Sequence, residues 1–261
     1  MSLRHFETAP GPVDSGSARA APAGPVLTVT GLRAGYGPIQ VLHGLDLEIA
    51  AGEVHAIIGG NGAGKTTLLR AISGLIQPSA GSIDFCGNEL AGRSPAEIVD
   101  CGVGHAPEGH RVFRGLTVEE NLRLGAFRRP GKTRASVNSA LAEIFEFFPK
   151  LSERRRQLAG TLSGGEQQMC AIGRALMTAP KLLIIDELSL GLAPIIVEEL
   201  LHILSKIHAA GTTLLLVEQD VSVALGFSDR ATVVSSGQVA LRGPARDLLA
   251  DPQIITTYLG G

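Results

Sequence analysis

The stretch EVHAIIGGNGAGKTTLLRAISGL, residues 53–75, passes from an apolar run through a glycine-rich segment into a second apolar pattern. The run VHAIIG is nearly continuous in apolar residues, which is typical of a strand covered on both faces. After the glycines, apolar residues recur at helical spacing, at Leu68, Leu69, Ile72 and Leu75. The order of strand, loop and helix predicts an α/β fold.

The glycine-rich segment GGNGAGKT, residues 59–66, fits the pattern GxxxxGK[ST] in the strand-to-helix context in which this pattern binds phosphate. Glycines let backbone N–H groups point inward, and the following helix adds its positive N-terminal dipole. Lys65 is expected to reach the outer phosphates, and Thr66 offers a hydroxyl to Mg²⁺. An ordinary glycine-rich turn is the alternative, but the context favours a nucleoside triphosphate site. Its predicted residues are Gly59, Gly60, Asn61, Gly62, Ala63, Gly64, Lys65, Thr66 and Thr67.

Two adjacent acids follow another apolar run, in KLLIIDELSLGLAP at residues 181–194. A strand that ends in acids beside the phosphate-loop strand brings its carboxylates to the same crevice. Asp186 is therefore expected to hold Mg²⁺, directly or through water, and Glu187 to face the nucleophilic water. The alternative is a pair of solvated acids at a strand end.

Alternating patterns organise the rest of the chain around an α/β core. Roughly residues 94–178 contain mostly helical patterns, which predicts a helical subdomain inserted in the sheet domain. Residues 1–25 are rich in Ala, Pro, Gly and Ser and are expected to form a disordered tail. The remaining predicted elements are short strands between residues 26 and 58, a strand over 182–186, a helix over roughly 194–209, a strand over 213–217 and a further helix.

The composition excludes several classes of protein. The 261 residues are 44% hydrophobic and carry a net charge of −2, so the chain can bury a large core and has no overall attraction to nucleic acid. The basic clusters at 127–134 and 153–157 have no interleaved aromatic residues that would form a stacking surface, so they are interpreted as solvated helix ends. Scattered cysteines and histidines indicate no structural metal site. No stretch approaches the ~20 apolar residues that span a bilayer, which predicts a cytosolic location.

The segment TLSGGEQQMCAIGRAL, residues 161–176, resembles the signature motif of ATP-binding cassette (ABC) ATPases. Its residues Ser163, Gly164, Gly165 and Glu166 open a predicted helix, which presents free N–H groups and a hydroxyl. The resemblance covers roughly residues 26–261 and implies a P-loop NTPase fold: a RecA-like mixed sheet core, an antiparallel β subdomain and the inserted helical subdomain. It also implies that the signature contacts ATP held by a second, homologous ATPase subunit in a head-to-tail dimer.

Further segments resemble one subfamily of ABC ATPases in particular. HAPEGHRVFRGLTVEENL, LLLVEQD and the closing YLGG are similar to segments of the ATP-binding subunits of branched-chain amino acid transporters. Tyr36 stands where the family stacks an aromatic ring on adenine, and residues 189–192 resemble its dimer-communication loop. Glu108 replaces a metal-contacting glutamine, and Gln219 replaces the switch histidine, so the resemblance implies roles in metal binding and catalysis, respectively. Other departures from the family pattern are Gly60, His110, Arg114 and Leu188.

These observations predict a transporter motor that binds ATP and Mg²⁺. The resemblance implies an importer of branched-chain amino acids or related small polar solutes, working through separate membrane permease subunits and, indirectly, a solute-binding protein. Its expected location is the cytoplasmic face of the cell membrane. A soluble ABC ATPase that acts on ribosomes or DNA is the alternative, disfavoured by a single cassette without sustained heptads. A regulatory module without turnover is disfavoured by Glu187.

Overall fold

The computed structural model describes residues 24–109 and 111–251. The predicted tail therefore lies outside the described residues except for Gly24 and Pro25, and Pro25 begins the first strand. His110 and the segment YLGG also lie outside the described residues.

Within the described ranges, strands and helices alternate in the order expected of an α/β protein. The strands are β1 (Pro25–Tyr36), β2 (Ile39–Ala50), β3 (Val54–Ile58), β4 (Ala80–Phe85), β5 (Asn88–Glu89), β6 (Val103–Ala106), β7 (Leu182–Asp186), β8 (Thr213–Glu218), β9 (Arg230–Ser235) and β10 (Gln238–Pro244). The helices are α1 (Lys65–Ile72), α2 (Pro95–Cys101), α3 (Val118–Gly125), α4 (Arg134–Phe147), α5 (Pro149–Glu153), α6 (Gly164–Leu176), α7 (Pro194–Ala209), α8 (Val221–Phe227) and α9 (Ala245–Leu249).

The larger sheet has six strands in the order β10-β9-β3-β8-β7-β6. Strands β9, β3, β8, β7 and β6 run parallel, and β10 is antiparallel to β9. In the register, Ile58 is opposite Glu218 and Asp186 is opposite Val217. The carboxyl ends of β3, β7 and β8 therefore meet at one edge of the sheet, where open α/β sheets bind their ligands.

The smaller sheet is antiparallel, with the order β2-β1-β4-β5. One buried cluster joins this sheet to the larger one. The cluster includes Leu27 and Leu45 from the smaller sheet, Leu68 and Leu69 from α1, and Leu215 from β8. Helix α1 is thus packed into the apolar core that the two sheets share, and the segment before it is fixed at the sheet edge. The predicted mixed sheet with an antiparallel sheet is confirmed.

Helices α2 to α6 lie between β5 and β7 in the chain, within the interval expected to be helical. The same interval contains β6, which pairs with β7 at the edge of the larger sheet. A second departure concerns Leu75, which was expected to extend the helical face but is 59% exposed. Helix α1 ends at Ile72, and Gly74, with φ of 70°, closes it in the left-handed conformation typical of a helix end.

Candidate functional site

The phosphate-loop segment, residues 59–66, connects β3 to α1 at the sheet edge. Two of its glycines, Gly62 with φ of 78° and Gly64 with φ of 109°, have positive φ values that disfavour other residues. Lys65 begins α1 and is only 5% exposed. Its Nζ donates to the carbonyl oxygens of Gly59 at 2.7 Å and Gly60 at 3.3 Å. The loop carbonyls therefore hold the ammonium group inside the loop.

The turn between β9 and β10 packs against this loop and bonds to it through the backbone. The N–H of Gly237 donates to the carbonyl of Ala63 at 2.9 Å, and the carbonyl of Gly237 accepts from the N–H of His43 at 3.0 Å. A Cβ at Gly59 would lie 2.4 Å from the carbonyl oxygen of Val234. The backbone thus approaches too closely for any side chain at Gly59, and the loop position is fixed by two sheets.

The charges of four carboxylates act on the Lys65 ammonium. Burial lowers the pKa of Lys65, whereas Glu187, Asp186, Glu218 and Glu108 raise it, in decreasing order. The nearest of these atoms, Oε1 of Glu187, lies 3.9 Å from Nζ. The cleft therefore contains more negative than positive charge, although its backbone is arranged for an anion.

Asp186 is the last residue of β7 and is 5% exposed. Burial, followed by the charges of Glu108 and Glu187, raises the pKa of its carboxyl to about 7, and Lys65 only partly offsets this. No described residue donates a hydrogen bond to this carboxylate. A buried carboxylate without such partners is stabilised by a bound cation.

Mg²⁺ fits this donor set. The carboxylate of Asp186 and the hydroxyl of Thr66 are oxygen ligands, and Mg²⁺ is usually held by one or two carboxylates together with substrate phosphates. Among the residues that the structure describes, no group of three or more His, Cys, Asp or Glu side chains could hold a metal ion.

Glu187 follows Asp186 and has an unusual backbone conformation, with φ of 48°. Positive φ is uncommon for a residue with a side chain. The N–H of Glu187 donates to the carbonyl of Val217 at 2.8 Å. Its Oε1 accepts a hydrogen bond of 2.5 Å from Nε2 of Gln219, which directly follows β8. The predicted base and the predicted switch residue are therefore in contact.

One cleft contains most of the predicted nucleotide-site residues. It is lined by Val41, Gly60, Asn61, Gly62, Ala63, Gly64, Lys65, Thr66, Thr67, Glu108, Glu187 and Gln219. Val41, from β2, has no part in the sequence prediction, and a single valine in a β-prone run gives no signal for such a role. Glu218 does not line this cleft, but its charge raises the pKa of Lys65, and it was also missed. An acid at the end of the apolar run LLLVE is a signal that could have identified it.

Tyr36 lies near this cleft but does not line it. Its hydroxyl accepts from Nη1 of Arg70 at 3.0 Å and lies 3.5 Å from Oγ1 of Thr67. The Arg70 guanidinium carbon is 5.7 Å from the ring centroid. The ring is 39% exposed, so one part of it is available to a ligand.

The signature residues lie at the start of α6, in a second cleft that shares no lining residue with the first. Ser163 and Gly164 are exposed. The Ser163 hydroxyl and N–H both donate to Oε2 of Glu166 at 2.9 Å, and Nε of Arg154 lies 2.8 Å from Oε1 of Glu166. The structure thus separates Ser163 from Lys65 within one chain.

Comparison with known proteins identifies the family. The ABC transporter family model matches residues 42–189, more than half of the chain. The chain is 46% identical over 226 residues to the high-affinity branched-chain amino acid transport ATP-binding protein BraG of Pseudomonas aeruginosa, covering 87% of this chain and 96% of BraG. It is 36% identical over 225 residues to the probable branched-chain amino acid transport ATP-binding protein LivF of Archaeoglobus fulgidus, covering 86% of this chain and 94% of LivF.

Solved structures agree with the sequence comparison. The ADP conformation of MJ1267, an ATP-binding cassette of an ABC transporter, superposes with a TM-score of 0.79 at 29% identity, covering 91% of this chain and 99% of MJ1267. A nucleotide-free ATP-binding cassette from an ABC transporter superposes with a TM-score of 0.80 at 28% identity, covering 91% of this chain and 100% of that cassette. The chain belongs to the ABC transporter family, and it is an ATPase subunit that binds and hydrolyses ATP.

Proposed function

We propose that this ATPase drives the uptake of branched-chain amino acids or related small polar solutes through separate membrane permease subunits. The observation that carries the proposal is the convergence of Lys65, Asp186, Glu187 and Gln219 at one sheet edge, in a chain 46% identical to BraG. Residues 26–261 would form the cassette, with its helical subdomain over roughly 94–178 apart from β6.

Six residues at or beside this edge have a proposed role in ATP cleavage. Lys65 binds the outer phosphates. Thr66, Asp186 and Glu108 would hold Mg²⁺, which would neutralise phosphate charge. Glu187 accepts the proton of the attacking water. Gln219 cannot take up a proton at neutral pH, so it positions Glu187 and donates a hydrogen bond toward the γ-phosphate.

The complete catalytic site requires a second ATPase subunit. Ser163 and Gly164 are exposed at the start of α6, outside the cleft that contains Lys65. Because the start of a helix binds anions, these residues would contact the γ-phosphate held by the other subunit. The Ser163 hydroxyl must then leave Glu166, to which it donates in the single chain.

Transport requires membrane partners. The structure describes no helix that is long and apolar enough to cross a membrane. We infer that permease subunits dock near residues 108–116, where Phe113 is 54% exposed, and that the chain works at the cytoplasmic face of the membrane. A solute-binding protein would act indirectly, through the permeases. Both relatives named above are described as transport proteins, so the ribosome- or DNA-acting alternative gains no support.

Reconstitution tests this proposal. The chain would be coexpressed with candidate permease subunits and a second ATPase subunit from the same genome. Uptake of labelled leucine, isoleucine and valine would then be measured in cells lacking their own transporters for these amino acids. Glu187→Gln should abolish uptake, whereas Asp247→Asn, at an exposed residue of α9, should leave it unchanged. Uptake equal in the Glu187→Gln and parental strains, or membrane binding that does not depend on the permeases, would contradict the proposal.

A further inference from the structure

Glu218 is a buried acid that the assigned catalytic roles do not use. It ends β8 between the phosphate-loop strand β3 and the acidic strand β7, and it is 1% exposed. Its Oε1 accepts from the N–H of Ser189 at 3.0 Å, and its Oε2 accepts from the Ser189 hydroxyl at 2.8 Å. One side chain therefore binds both donors of a residue 29 positions away in sequence.

Hydrogen bonds link the ends of β7 and β8 in both directions, and the bonds from Ser189 to Glu218 run in one of them. Glu187 and Ser189 follow β7, while Glu218 and Gln219 lie at the end of β8. Gln219 donates to the side chain of Glu187, and Ser189 donates to the side chain of Glu218. The two pairs close a ring through the backbone, so displacement of either strand end disturbs both pairs.

Glu187 needs such support because of its backbone. A non-glycine residue with φ of 48° costs on the order of 1 kcal/mol or more, and such a conformation persists only where its surroundings determine it. The bond from the Glu187 N–H to Val217 fixes the residue on one side, and the anchor of Ser189 on Glu218 fixes the chain two residues later.

We propose that Glu218 is a positioning residue for ATP cleavage: by holding Ser189, it fixes the backbone that directs the Glu187 carboxylate toward the attacking water. The inference rests on the proposed role of Glu187. In this role Glu218 itself contacts no nucleotide, metal or water. The burial that raises the pKa of Glu218 makes this acid costly to retain, whereas an apolar residue would fill the same strand position without that cost.

Substitutions at Glu218 can separate hydrogen bonding from charge. Glu218→Met keeps the side-chain length and removes both acceptors. Glu218→Gln removes the charge but keeps the ring, because its carbonyl oxygen accepts from the Ser189 N–H and the Ser189 hydroxyl can turn to accept from its amide. Ser189→Ala removes one of the two bonds. Glu53→Met is the matched control, since Glu53 is also a buried, hydrogen-bonded acid but precedes β3 at the opposite end of that strand.

The test measures ATP affinity and single-turnover cleavage separately on purified full-length chains. Glu218→Met should leave the Kd for ATP within about twofold and slow cleavage by ~10- to 100-fold, the scale of a misplaced catalytic group. Glu218→Gln should restore most of the rate, and Glu218→Met with Ser189→Ala should be no slower than Glu218→Met alone. Glu53→Met should lower Tm without slowing cleavage by the folded protein.

Two results would overturn the inference. The first is cleavage of ATP by Glu218→Met at the parental rate. The second is an equal loss of cleavage rate in Glu218→Met and Glu218→Gln, which would assign the effect to the lost charge. If Glu218→Met does not fold, Ser189→Ala decides instead, with parental cleavage overturning the inference. A Glu187→Gln arm separates the two proposals. If Glu187→Gln cleaves ATP at the parental rate, the role of Glu187 itself is refuted. If Glu187→Gln loses cleavage while Glu218→Met cleaves at the parental rate, only the role of Glu218 is refuted.

Discussion

Replacing Asp186 with asparagine should make the nucleotide-free protein more stable, although it removes a proposed Mg²⁺ ligand. The carboxylate is 5% exposed, lies among other acids and accepts no hydrogen bond from any described residue. Asparagine keeps the shape and removes the charge. The folded state then no longer bears the cost of ionising a buried acid.

The size of the effect follows from the pKa. The Asp186 carboxyl has a pKa of about 7 in the folded protein and an ordinary value of 3.8, a difference worth at most about 4 kcal/mol. Relaxation around the charge lowers this, so we expect a gain of about 2 kcal/mol, or roughly 4–8 °C in Tm for a chain of this size.

The pH dependence has a definite sign. Well below pH 3.8 the carboxyl is protonated in both the folded and the unfolded state, so no cost of ionisation remains for the substitution to remove. As the pH rises toward 7, the unfolded chain binds fewer protons than the folded chain, so the parental protein loses stability. The advantage of Asp186→Asn should therefore grow between pH 5 and pH 7 and be complete at pH 8.

Thermal unfolding at pH 5 and pH 8, without nucleotide, measures this advantage. Asp247→Asn, at an exposed residue, is the control and should not change Tm. Mg²⁺ with ATP should raise the Tm of the parental protein more than that of Asp186→Asn, because the variant lacks the charged metal ligand. An unchanged or lower Tm for Asp186→Asn at pH 8 would refute the view that this acid is held at a cost to stability.

Three further predictions concern ATP binding and the dimer. Lys65→Ala should abolish tight ATP binding or turnover, because the loop has no other mobile cation; equilibrium binding of labelled ATP measures this, and unchanged binding would contradict the site. Mixing Lys65→Ala chains with Gly164→Asp chains should restore some ATPase activity, since each mixed dimer keeps one intact composite site; recovery in demonstrably monomeric protein would contradict the dimer. Tyr36→Ala should weaken ATP binding by roughly 1–2 kcal/mol, the scale of a lost aromatic stack, and Tyr36→Phe should not; equal losses would indicate the hydroxyl that accepts from Arg70.

Local patterns were sufficient to predict the elements that carry the candidate site. Strand β7 and helix α7 have the predicted bounds, because an apolar run and a helical period are properties of neighbouring residues. Strand β6 could not be predicted, since VGHA is too short to show a period and becomes a strand by pairing with β7. Leu75 continued the apolar spacing of α1, but Gly74 ends the helix before it.

The missed site residues depend on contacts between distant segments. Val41 reaches the cleft only because the antiparallel sheet packs beside the phosphate loop. Glu218 acquires its partner Ser189 through the pairing of β7 with β8, which places two strand ends side by side. Sequence spacing carries no record of such contacts, nor of the positive φ at Glu187.

Single-turnover cleavage by Glu187→Gln, with bound nucleotide and dimer mass measured in parallel, tests whether Glu187 accepts the proton of the attacking water. The amide keeps the shape of Glu187 but is a far weaker proton acceptor, and a lost general base slows a reaction by ~10²- to 10⁴-fold. We predict that the variant binds ATP as tightly as the parental chain, cleaves it at least ~100-fold more slowly and accumulates as an ATP-bound dimer. Cleavage at the parental rate would contradict the role of Glu187 as the base, and Glu108, the other carboxylate that lines the cleft, would be the next candidate.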